Sequence, residues 1–117
     1  MSYVDGFVVP VPTTSKDAYR EMAALAAKVF KENGAISVME AWEDEVPDGQ
    51  TTDFRRAVKI EAGEAVVFSW VLWPSKEVRD AGMKTFMEDE RLKANFQAMP
   101  FDGKRMIFGG FAPIVEA

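Results

Sequence analysis

Asp5, Glu40, Ser69 and Arg105 interrupt stretches of the chain that are otherwise apolar. If Tyr3, Asp5 and Phe7 face the interior of a barrel, burial disfavours the charged form of Asp5 unless Arg105 or a hydroxyl faces it. A carboxylate so placed would abstract or relay a proton. Trp42, Trp70 and Trp73 fall on strands expected to be neighbours, where they would wall an aromatic ligand. The plainer alternative is a polar pair hydrogen-bonded across the sheet or a dimer seam, with the tryptophans filling core and interface. The 117 residues include no histidine and no cysteine. Imidazole and thiol nucleophiles or bases, disulfides, thiolate or imidazole metal sites and His-ligated haem are thereby excluded. Glu40, Glu43, Asp44, Glu45 and Asp48 form an acidic run without EF-hand spacing. It reads as a solvated strand end, and neither metal nor cofactor is implied.

The elements that must position these groups can be read from periodicity. Tyr3 to Val11 alternates as a strand, with Pro10 at an end or edge. Thr14 and Asp17 resemble a capping box before a helix. Ala18, Met22, Leu25 and Val29 interleave with Tyr19, Ala23, Ala26 and Phe30 in a wide apolar stripe, while Lys16 and Arg20 fall on the polar side. Asn33-Gly34 ends that helix. Ala35 to Glu45 predicts a second strand, Phe54 to Ile60 an extended segment, and Ala65 to Trp73 the strongest strand. Ser75 caps a second helix reaching about Glu88, a short helical piece follows over Arg91 to Phe96, and Arg105 to Val115 is the last strand. No repeat or linker divides residues 1–117, so one domain is expected. The order is the split βαβ of a ferredoxin-like βαββαβ fold, α+β in class, with an antiparallel sheet and two helices on one face.

Two helices shelter one face only. Yet both faces of several strands are apolar: Val66, Phe68, Trp70 and Leu72 against Val67, Val71 and Trp73. A bare face of that kind exceeds the roughly 300–600 Å² of a monomer's largest apolar patch. A second copy packed sheet to sheet would cover it, giving a homodimeric α+β barrel.

Several segments carry a resemblance: Tyr3-Val4-Asp5-Gly6-Phe7-Val8-Val9-Pro10, Val46-Pro47-Asp48-Gly49 with Thr52 to Ala57, Trp73-Pro74-Ser75-Lys76, and Met99-Pro100-Phe101-Asp102-Gly103-Lys104-Arg105-Met106 with Gly109-Gly110-Phe111. Over nearly its whole length the chain resembles the YbaA-like family, small bacterial proteins with a domain of unknown function. The resemblance implies the dimeric α+β barrel superfamily, which includes cofactor-free monooxygenases, haem enzymes and small-molecule degraders. It implies no reaction.

Two functional readings follow. One is a small-molecule-binding protein or cofactor-independent enzyme, using the cleft between sheet and helices, with Asp5, Glu40, Trp42, Ser69, Trp70, Trp73 and Arg105 as candidate ligand-binding residues. The other is a non-catalytic dimeric binding or regulatory module. Some family members carry a label naming a signal-recognition-particle RNA. A net charge of −5 repels phosphate, and the basic, aromatic last strand fails the spacing of an RNA-recognition motif, so nucleic acid is not expected as a partner. The apolar run from Ala65 to Trp73 is far short of the roughly 18 residues that span a bilayer. An acid near the N-terminus opposes a secretory signal, so a cytoplasmic location without membrane contact is expected.

Overall fold

The computed structural model describes residues 1–96 and 99–117. Strand β1 (Tyr3–Pro12) pairs along its whole length with β3 (Glu64–Trp73), from Tyr3 opposite Trp73 to Pro12 opposite Glu64. On the other side of β1, β4 (Ile107–Phe111) covers only Val4 to Val8. β2 (Ser37–Trp42) lies outside β3, and the antiparallel sheet runs β2-β3-β1-β4. This is the ferredoxin-like order expected from the pattern of strands and helices. Pro10 and Pro12 lie inside β1, where β4 no longer reaches, so on that side a missing N–H breaks no ladder.

Helices α1 (Lys16–Glu32) and α3 (Lys76–Met87) cover one face, and α4 (Glu90–Phe96) joins them there through Leu92. The apolar stripe of α1 buries Tyr19 and Ala23 against Val9, Val11 and Val67, and Val29 and Phe30 against Val71 and Trp73. Phe30 stacks on Phe86 of α3 at 3.9 Å and meets Trp73 edge-on at 5.9 Å. Gly34, at φ 106°, supplies the left-handed cap that ends α1. Ser75 caps α3 by accepting the Val78 N–H at 3.1 Å.

Gly82 lets α3 approach the sheet. A Cβ there would lie 2.6 Å from Trp73 Cζ3 and 2.8 Å from the Asn33 carbonyl oxygen. Gly82→Ala is therefore expected to destabilise the fold by about 1–3 kcal/mol through overpacking, outweighing alanine's helix propensity of about 1 kcal/mol. A lower urea midpoint with an unchanged denaturant slope is the expected result.

Several local expectations are corrected. Phe54 to Ile60 is not extended: Phe54–Ala57 forms a one-turn helix, α2. Asp53 caps it by accepting the Arg56 N–H at 2.7 Å and the Arg56 Nε–H at 2.9 Å. Thr14 makes no capping box, because the chain enters α1 through a 3₁₀ turn at Thr13–Ser15 with no side-chain cap. The second and last strands are shorter than their apolar runs. β2 stops at Trp42, beyond which the Glu43 N–H still donates to the Val66 carbonyl at 2.9 Å. β4 begins at Ile107, so Arg105 precedes it.

The sheet face away from the helices is apolar and open. Phe68 is 45% exposed and Phe111 61%, with Met39 and Ile107 also exposed. By register they share this face with Val4, Val8, Trp70 and Leu72. Phe54 of α2 meets Phe68 edge-on at 6.0 Å and extends the surface.

Candidate functional site

The first turns of α1 run beside β2 and β3, and the space between them is a cleft of about 510 Å³. Lys16, Tyr19, Arg20, Ala23, Ala24 and Ala27 line it from the helix, and Val38, Glu40, Trp42 and Val67 from the sheet. The cleft stays open because Ala24 and Ala27 are too short to fill the space toward the strands, while Ala23 packs against Val67. Tyr19 is long enough. Its hydroxyl donates to Glu40 Oε1 at 2.7 Å, and its ring takes the edge of Phe101 at 5.8 Å. Lys16 holds its ammonium 5.1 Å from the centre of the Trp42 ring, within cation–π range.

Glu40 is exposed at the cleft and part-buried only where it meets Tyr19. Burial raises its pKa above the ordinary 4.5, and the Tyr19 hydrogen bond pulls the other way. Burial and the neighbouring Glu40 charge push the Tyr19 phenol well above its ordinary value. Tyr19 thus works as a hydrogen-bond donor, and Glu40, once ionised, is a stronger base than an ordinary carboxylate. Because the folded state holds this proton more tightly than the unfolded chain, Glu40 contributes stability below pH 4.5. That contribution is lost as pH rises through the folded pKa. Tyr19→Phe removes the opposing hydrogen bond, so the Glu40 titration should move further upward in a carboxyl-carbon NMR experiment. A downward move would contradict this account.

Of the residues marked by sequence, the structure brings Glu40 and Trp42 together in the cleft. Ser69 lies opposite Glu40 in register and is buried. Asp5 and Trp73 form a separate buried cluster: Asp5 Oδ2 accepts Trp73 Nε1–H at 2.9 Å, and Arg79 donates to Asp5 at 2.7–3.1 Å. Asp5, Glu40 and Ser69 therefore face the helices, not a barrel interior. Trp70 points to the opposite, open face.

Arg105 does not face Asp5. It makes a bidentate pair with Glu64, both bonds 2.7 Å, and also donates to Asp102 and the Lys59 carbonyl. This ties the Met99–Arg105 loop to the β3 end of the sheet. The acidic run is likewise engaged at Glu43, which accepts the Val66 N–H at 2.6 Å and pairs with Arg55. Among the described residues, no three carboxylates converge as metal ligands, and no helix is long and apolar enough to cross a membrane.

Sequence reasoning missed Lys16, Tyr19 and Arg20 as cleft residues, and Arg79 as the partner of Asp5. A signal existed for the first set. Lys16, Tyr19, Arg20 and Ala23 stand at i, i+3, i+4 and i+7, one continuous helix face that mixes cations with the apolar stripe.

A sequence model of the family described as "Protein of unknown function (DUF1428)" matches residues 2–103. The chain belongs to that family. This DUF1428 protein is 61% identical over 116 residues to the uncharacterized protein YbaA of Escherichia coli K12, covering 99% of each chain. Its fold resembles a dimeric ferredoxin-like protein from an uncultured marine organism, at TM-score 0.61 and 10% identity over all of both chains. It also resembles the cofactor-independent oxygenase SnoaB of Streptomyces nogalater, at TM-score 0.59 and 9% identity over 98% of this chain and 95% of that one. At such identities these likenesses are of fold.

Proposed function

We propose that the cleft between α1 and the β2–β3 edge binds a small organic molecule. The observation that carries this reading is the convergence in one cavity of an apolar floor, an aromatic wall at Trp42 and the Tyr19–Glu40 pair. Tyr19 engages one Glu40 oxygen, leaving Oε2 to accept a hydrogen bond from a ligand. The fold also resembles that of SnoaB, described as a cofactor-independent oxygenase. If chemistry accompanies binding here, Glu40 is the group placed to take a proton.

The test is a fragment library observed by amide NMR. Binding should move the resonances of Tyr19, Glu40 and Trp42, and Trp42→Ala should abolish those shifts. Fragments that perturb only other regions, or none that bind, would overturn the assignment.

We also propose that a second copy of the chain covers the open sheet face. The support is the run of exposed apolar side chains on β2, β3 and β4, without a charge from Val66 to Leu72 on that face. The similar marine protein is itself described as dimeric. Light scattering on the purified chain should then give twice 13.1 kDa.

A further inference from the structure

We infer that the ligand of this cleft is an amphipathic organic anion, its carboxylate at Lys16 and Arg20, its apolar body on the alanine floor beside Trp42, and a hydroxyl or N–H donor at Glu40. This rests on the binding role proposed for the cleft and goes further, to the charge of the molecule bound.

The first observation is how the arginines are committed. Among the described residues, every other arginine donates to a carboxylate: Arg55 to Glu43, Arg56 to Asp53, Arg79 to Asp5, Arg91 to Glu32 and Arg105 to Glu64. Among the described residues Arg20 meets only Asp17, at 3.5 Å, with the two side chains 70% and 92% exposed. A contact that open and long is largely screened by water. In a chain with 19 acidic residues, a guanidinium left this free at a cavity mouth stands ready for a ligand.

The second observation is placement. Lys16 and Arg20 stand at i and i+4 in the opening turns of α1, where like charges repel and the helix dipole disfavours cations. Folding alone gains little from this arrangement. A carboxylate bridging the two would relieve the repulsion and sit well at the positive end of the dipole.

The third is the position of Lys16 over Trp42. The Trp42 face is already satisfied by a cation, so a cationic ligand would have to displace Lys16 to use it. An anion would instead complete a stack of ring, ammonium and carboxylate. Glu40 opposes a second negative charge nearby, which sets the polarity of the ligand along the cleft: anionic end toward Lys16 and Arg20, donor end toward Glu40.

Three probes of one shape separate the possibilities: 3-(4-hydroxyphenyl)propionate, its amide, and tyramine. Affinities are read by NMR titration of the Trp42 indole N–H at low salt. The carboxylate should bind about tenfold tighter than the amide, an advantage that shrinks with added salt. In the Lys16→Gln/Arg20→Gln double variant the acid should bind no tighter than the amide, while unchanged backbone amide resonances on β3 report an intact fold. Equal binding of acid and amide, or preference for tyramine, overturns the anion inference and leaves the binding site standing. Failure of all three probes to move Trp42 overturns both.

Discussion

Arg79→Met is expected to cost about 3–5 kcal/mol of folding stability, because it strands a buried carboxylate. Asp5 is 3% exposed and lies on the central strand β1. Its partners are the Trp73 indole N–H and the Arg79 guanidinium, which reaches it through both Nε and Nη2. Arg79 also stands 5.1 Å from the Tyr3 ring centre, which orients it over the strand. Without it, Asp5 keeps one donor for a charge that water cannot reach. The decisive comparison is a double-mutant cycle by urea denaturation. Asp5→Asn combined with Arg79→Met should destabilise clearly less than the sum of the two single changes, since removing the charge removes the reason for the cation. Additive effects would mean that the pair is not coupled and that Asp5 is stabilised by something else.

The second large effect concerns the open sheet face. Phe68→Lys places an ammonium within an apolar surface that, in the proposed dimer, water cannot enter. Two-fold symmetry introduces the change twice at one interface. The dimer dissociation constant should rise by at least about 100-fold, or about 2.8 kcal/mol, as read by sedimentation equilibrium. Lys28→Glu on the exposed part of α1 should leave the mass unchanged. A wild-type chain that sediments as a 13.1 kDa particle at micromolar concentration, or a Phe68→Lys variant that stays doubled, would reject the second copy.

These two predictions depend on different kinds of information. The apolar character of the Phe68 face is legible in the alternation of residues 66 to 73, because neighbouring side chains on a strand must point to opposite sides. The Asp5–Arg79 pair joins residues 74 apart and is invisible to any local pattern. Strand adjacency alone suggests Arg105 as the partner of Asp5, but the residue opposite Asp5 on β4 is Gly110. Arg105 instead lies before the strand begins and is held by Glu64. The helix at Phe54–Ala57 was locally encoded by Asp53, yet the spacing of Phe54, Ala57, Val58 and Ile60 masked the cap.

What the chain determined by itself is the order of strands and helices, the ends marked by Asn33-Gly34 and Ser75, and a sheet with too much apolar surface for two helices. These follow from periodicity and capping, which act over a few residues. What only the tertiary structure decided is which of the polar candidates meet. Glu40 and Trp42 join Tyr19 beside three alanines, while Asp5 and Trp73 are taken by Arg79, and Trp70 faces away. A cleft is made where side chains from distant elements fall short of one another, and that shortfall belongs to the packing of α1 on the sheet.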